Sequence, residues 1–200
     1  MRYDVSKVVM SGALALRILT AAGLTHAEEG GAPLLQAPAL SPKAVEAIQL
    51  LESHDPYQRQ LGFLRLEALR ERATIEVIRT YIDHRDPETR AYSLRALAAI
   101  EGSESVPLLL QKLSTERHPR VRRALLLGLE PFQKQHPDLL LTFMQALRDR
   151  DTAVRMTAVD IVSRIDDPRA REALVMRNKY ERRRDVRRVL ALAMKRIKGS

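Results

Sequence analysis

Five arginines recur along the chain at near-constant spacing: Arg59, Arg90, Arg122, Arg155 and Arg187, separated by 31, 32, 33 and 32 residues. An acid stands four or six residues before each, at Asp55, Asp86, Glu116, Asp149 or Asp151, and Glu181. A guanidinium is a planar fork of donors that matches a carboxylate, so the chemistry implied is repeated ion pairing. A ligand would not need an arginine at every register, and the row reads as a structural ladder. His54, His84 and His118 fall in successive polar turns, and His136 opens a further segment. Packed helices stand about 8–10 Å apart, too far for turn histidines to share one ion, so no metal site is expected. The absence of Cys removes disulfides, thiolate ligands and Cys nucleophiles. Only eight Gly are present, with no GxGxxG or GxxxxGK[ST] pattern, which argues against a phosphate loop. No Trp, three Phe and five Tyr argue against a base-stacking platform. No nucleophile triad is suggested by spacing. We therefore expect no catalytic residue and no cofactor, that is, a non-enzyme.

The elements that position the arginines are helical. Four residues after each arginine stand Phe63, Leu94, Leu126, Val159 and Ala191, and seven after stand Leu66, Leu97, Leu129, Val162 and Met194. Ten after stand Leu69, Ile100, Phe132, Ile165 and Ile197. Spacing of 3, 4 and 7 places these columns on one helical face. Each turn also follows a second apolar-periodic segment: 45–51, 75–82, 106–113, 139–147 and 170–176. Pro56, Pro87 and Pro119 sit in the turns, closing one helix and opening the next. One such helix pair cannot bury its apolar face alone, so the pairs must stack as a solenoid.

In these residues the chain resembles the HEAT-repeat family. The resemblance is carried by STERHPRVRRALLLGLE at 114–130 and RDRDTAVRMTAVDIV at 148–162, and it extends over 42–200. It implies an all-α fold: a right-handed α-α superhelix of about five helix-turn-helix HEAT-like repeats. The short period resembles the subclass first noted in phycobilisome lyases. HEAT-like hydroxylases carry His-Glu dipeptides as iron ligands, and no His here is followed by Glu. The resemblance also implies that turn acid and helix arginine tie adjacent units together, and that the second helix of each unit lines a concave face. On that face would stand Leu64, Leu127, Met156 and Leu192 as apolar contacts, with Arg95, Arg123 and Arg188 as charged ones. Exposed apolar residues rimmed by charge mark protein-binding surfaces. The functional expectation is a scaffold or adaptor that binds a partner protein through this face.

Charge supplies the alternative. The formal net charge is +9, and residues 169–200 hold twelve basic residues against three acids, so the whole excess lies there. The basic patch comprises Arg177, Lys179, Arg182, Arg183, Arg184, Lys195 and Arg196. Such a patch suits an acidic partner protein, or a polyanion such as nucleic acid or anionic lipid. At the other end, 1–27 reads as a candidate signal peptide, with Arg2 and Lys7 ahead of an apolar run and Thr25-His26-Ala27 suited to cleavage. The Gly- and Pro-bearing stretch 28–41 reads as a flexible linker. The expected location is the cell envelope, periplasmic or secreted. A cytoplasmic location is the alternative and the only one in which nucleic acid is a partner. No run of 18 uninterrupted apolar residues occurs, so no transmembrane span is expected.

Overall fold

The computed structural model describes residues 40–198, so the expectations for 1–27 and nearly all of 28–41 lie outside the described residues. Among the described residues ten α-helices follow one another: α1 Pro42–Leu51, α2 Pro56–Leu69, α3 Ile75–Arg79, α4 Pro87–Glu101, α5 Val106–Thr115, α6 Pro119–Leu129, α7 Leu139–Ala146, α8 Thr152–Val162, α9 Pro168–Tyr180 and α10 Arg184–Lys198. They form an α-solenoid of five helix pairs, with no strand among the described residues.

The sequence starts these helices by two recurring devices. Proline opens α1, α2, α4, α6 and α9, where its missing N–H costs nothing. An oxygen-bearing side chain caps most of the same starts. Ser41 Oγ accepts from Ala44 N at 3.1 Å, Asp55 from Tyr57 N at 2.9 Å and Asp86 from Thr89 N at 3.0 Å. Asp151 Oδ1 accepts from Ala153 N at 2.9 Å and Val154 N at 3.1 Å, opening α8 without a proline.

Two helices are shorter than their apolar period. The segment 75–82 is α-helical only to Arg79, and the Thr80 hydroxyl donates to Val77 O at 2.7 Å. Likewise α8 stops at Val162, and the Ser163 hydroxyl donates to Asp160 O at 2.9 Å. Such back-bonding hydroxyls compete with the helical ladder. Ile165 of the third column thus lies beyond its helix, and Phe132 lies beyond α6 in the 3-10 turn Glu130–Phe132 that holds Pro131.

The second helices α2, α4, α6, α8 and α10 pack in series, each against the next. In the first pair, a Cβ on Gly62 would stand 2.7 Å from Ala47 O, so glycine is what allows α1 and α2 their approach. The apolar interior forms two clusters, and α4 contributes to both. Ala96, Leu97 and Ile100 pack back onto Ile48, Phe63 and Ile78, while Leu94 and Ala98 pack forward onto Leu109, Leu125 and Leu129. The first two columns are buried in four units. In α10 the buried residues are instead Val186, Leu190 and Ala193, leaving Ala191 exposed. The +4 column is covered by the following pair in units one to four, and no described residue covers it in the fifth.

Candidate functional site

Each ladder arginine is fixed twice, by its own turn and by the next one. Arg90 donates through Nη1 to His84 O at 2.8 Å and Arg85 O at 3.1 Å, while Nε and Nη2 both reach Glu116 at 3.0 Å. Arg122 repeats the arrangement. Its Nη1 meets Arg117 O at 2.6 Å, and Nε and Nη2 meet Asp149 at 2.8 and 2.7 Å. Arg155 bonds Asp149 O at 2.9 Å and Arg150 O at 3.2 Å, with its fork on Glu181 at 2.9 and 3.2 Å. Arg59 holds Ser53 O and His54 O, then divides its remaining donors between Thr89 Oγ1 at 3.1 Å and Asp86 at 3.6 Å. The acid thus comes from the following turn, while the arginine's own turn supplies carbonyls. Arg187 is exposed and makes no such pair among the described residues.

The electrostatics follow this geometry. Burial raises the carboxyl pKa of Asp86, Glu116 and Asp149, but hydrogen bonds from backbone N–H groups and from Thr89 or the paired arginine outweigh it and hold each below the usual range. Burial acts the same way on Glu181. The Arg183 N–H, Arg155 and Arg177 overcome it and hold Glu181 at about 2. Every carboxylate in this ladder is ionised and consumed by donors, so none is poised to move a proton. A cavity of about 330 Å³ beside the third pair is lined by Leu110, Leu113, Leu126 and Val154, with Arg122 and Asp149 in its wall. Among the described residues no cluster of His, Asp or Glu could hold a metal ion. The turn histidines serve the backbone or solvent: His84 Nδ1 accepts from Asp86 N at 3.1 Å, and His118 is exposed.

The second-helix face carries a different set of side chains. Leu127 is 42% exposed and Leu192 61% exposed, on α6 and α10. One turn before each stands an exposed arginine, Arg123 and Arg188 respectively, so units three and five present the same arginine–leucine pair. Arg123 also donates to Thr157 Oγ1 on α8 at 3.2 Å. Arg95 is bound to Glu67 of α2 at 2.9 and 3.2 Å and lies against the Tyr92 ring, so it clamps α2 to α4. Leu64 is half-buried, and Met156 is half-buried against the core. The structure therefore keeps Leu127, Leu192, Arg123 and Arg188 available on this face and draws Arg95, Leu64 and Met156 partly into the packing.

The basic patch divides in the same way. Arg177 is half-buried on Glu181, with Nε at 2.9 Å, and Arg196 donates to Ser163 Oγ at 2.8 Å. Lys179 stands 5.6 Å from the Tyr180 ring centre, and Arg182, Arg183, Arg184 and Lys195 are exposed. Sequence spacing did not reveal Glu67 or Glu101, each of which takes an arginine from another helix: Arg95 for Glu67 and Arg79 for Glu101. Their partners lie 28 and 22 residues away, and no local pattern announces such pairs. The exposed apolar residues Val175, Met176 and Tyr180 of α9 also escaped the column count. Among the described residues no helix is long and apolar enough to cross a membrane.

A family model of HEAT repeats matches residues 44–130 and 106–195. Among solved structures, the chain is similar to the complex of CpcE and CpcF of phycocyanin lyase from Nostoc sp. PCC7120. The likeness covers 76% of this chain and 97% of that one, at 23% sequence identity and a TM-score of 0.63. No curated protein matches the chain. The neighbour corrects one expectation. The absence of catalytic motifs was read as a non-enzyme, yet the same fold serves in a lyase. A missing motif of known spacing excludes particular chemistries, and it does not exclude enzymatic work by a helical repeat chain.

Proposed function

Since the chain belongs to the HEAT-repeat family, we propose that it is a rigid helical-repeat module that binds a partner protein through the concave face of its second helices. The observation that carries this reading is the repeated pair Arg123–Leu127 and Arg188–Leu192, in which an exposed leucine lies one helical turn from an exposed arginine. Arginine is enriched at interface hot spots, and an exposed leucine beside it supplies apolar area for a partner to cover. The two helices that carry the pairs are both tied to α8, α6 through Arg123–Thr157 and α10 through Arg196–Asp160 and Arg196–Ser163, so the face is held in shape before a partner arrives. The neighbour's description as a complex of two chains of a lyase supports work within a protein assembly, an enzymatic assembly included.

The test is co-purification from the organism's own cells after chemical crosslinking, with mass spectrometry of the adduct. Leu127→Asp and Leu192→Asp together should abolish a specific crosslinked partner while leaving the melting temperature unchanged. A partner retained by this double variant removes the face from the interface.

A further inference from the structure

Five residues before each ladder arginine stand His54, Arg85, Arg117, Arg150 and Arg182, and all five are exposed. The first four contribute their backbone carbonyls to the inner ladder, accepting Nη1 of Arg59 at 3.0 Å, Arg90 at 3.1 Å, Arg122 at 2.6 Å and Arg155 at 3.2 Å. The ladder thus fixes the turn backbone that carries Arg85, Arg117 and Arg150 of this outer row, and Arg182 holds the same register in the fifth turn. Adjacent turns touch directly, since Arg150 Nη2 donates to Arg117 O at 2.9 Å.

The two rows differ in what compensates them. Asp86, Glu116, Asp149 and Glu181 lie in the same turns, but each is bound from inside by Arg59, Arg90, Arg122 or Arg155. Among the described residues, Arg85, Arg117, Arg150 and Arg182 have no carboxylate within ion-pair distance. Turns that read as mixed charge in the sequence therefore present a basic edge. Exposed Arg148, Arg183 and Arg184 widen it. Between the second and third turns, Arg85, Arg117 and Lys112 line a hollow of about 340 Å³. Its acids are already taken, Asp83 by Lys112 and Glu116 by Arg90.

We propose that this outer row binds the phosphodiester backbone of a nucleic acid, a reading that goes with the cytoplasmic alternative and not with the cell envelope. A protein interface needs an apolar centre, and no large apolar residue is exposed in the second, third or fourth turn. A narrow basic edge stepping about 10 Å per repeat fits a linear polyanion and not a flat lipid surface. Guanidinium forks suit phosphate oxygens. Contact of this kind reads charge and not sequence. The surface is separate from the leucine-bearing helix face, so this inference stands independently of the protein-binding reading.

The test is fluorescence anisotropy with a labelled DNA duplex of arbitrary sequence, titrated across salt concentrations. Four phosphate contacts give a log–log slope near −4, and each of Arg85→Gln, Arg117→Gln, Arg150→Gln and Arg182→Gln should flatten it by about 1. Arg150→Lys keeps the charge and should keep the slope, which separates lost charge from a lost Arg117 bond. Leu127→Ser with Leu192→Ser, which adds no charge, should leave DNA affinity unchanged. Three results would overturn the inference: no binding by the parent chain at low salt, a slope altered by Arg182→Gln alone, or binding to phosphatidylglycerol vesicles without binding to DNA.

Discussion

Arg155 reaches across the last repeat boundary to grip Glu181 with both Nε and Nη2, and the two side chains are only 8% and 2% exposed. A carboxylate this enclosed survives because Arg177 and the Arg183 N–H bind it as well. Its folded pKa of about 2 lies below the ordinary value of 4.5. A depressed carboxylate contributes stability that is fully present above the unfolded value and lost as pH falls through the folded one. Glu181 therefore contributes on the order of 2–3 kcal/mol near neutrality, withdrawn between about pH 4.5 and 2. Urea unfolding across that window should show the loss in the parent chain. In Glu181→Gln the neutral-pH stability falls and the acid dependence flattens.

The inner ladder is graded by what each arginine finds in the next turn. Arg122 is buried with its fork on Asp149, so Arg122→Ala leaves a carboxylate without its cation and should cost about 3–5 kcal/mol. Arg187 occupies the same register but is exposed with no acid bound, and Arg187→Ala should change stability by less than about 0.5 kcal/mol. Thermal or denaturant unfolding of the two variants side by side checks the contrast. Equal effects would mean that the carbonyl anchors, and not the acid pairs, set the energy.

Glycine substitutions separate two kinds of helix contact. At Gly62 a Cβ would meet Leu51 Cδ2 at 2.6 Å and the Ala47 carbonyl oxygen at 2.7 Å. The backbone of α1 cannot yield cheaply, so Gly62→Ala should destabilise by about 1–3 kcal/mol. At Gly128 the nearest atom is Ala98 Cβ at 3.4 Å, which is ordinary contact. There the gain in helix propensity dominates, and Gly128→Ala should stabilise by up to about 1 kcal/mol. Denaturant midpoints of opposite sign for the two variants are the expected result.

The ladder register was legible because arginine recurs at the start of every second helix, and the apolar columns were legible because Phe63, Leu94, Leu126 and Val159 all enter the core. The pairing direction was not. Local spacing put Glu116 six residues before Arg122, yet Arg90 binds its carboxylate while Arg122 takes backbone carbonyls of the same turn. Carbonyl anchoring leaves no trace in residue types. Of the outer row only Arg182 was legible, as part of the basic patch; Arg85, Arg117 and Arg150 share its register, but acidic neighbours hid them in a near-neutral local charge. Only the three-dimensional pairing shows which acids are already used. On the second-helix face, periodicity found Leu127 and Leu192, but it could not know that Glu67 would draw Arg95 into a clamp.

One helix start departs from the pattern of its neighbours and offers a gain. Asp55, Asp86 and Asp151 cap α2, α4 and α8 through their side chains, whereas the equivalent residue before α6 is His118, with no side-chain cap. The His118 backbone already has the extended geometry of a cap, at φ −83° and ψ 124°, close to the −76° and 121° of Asp86. An aspartate there needs no rearrangement to accept from the first-turn N–H groups. Its charge faces the positive helix end and lies near Arg120, while the nearby Glu116 is held by Arg90. His118→Asp should therefore raise stability by about 0.5–2 kcal/mol, measured as an upward shift of the denaturant midpoint near pH 7. The gain should disappear below about pH 4, where an ordinary aspartate is protonated. A variant no more stable than the parent at pH 7 would show that repulsion from Glu116 outweighs the new cap.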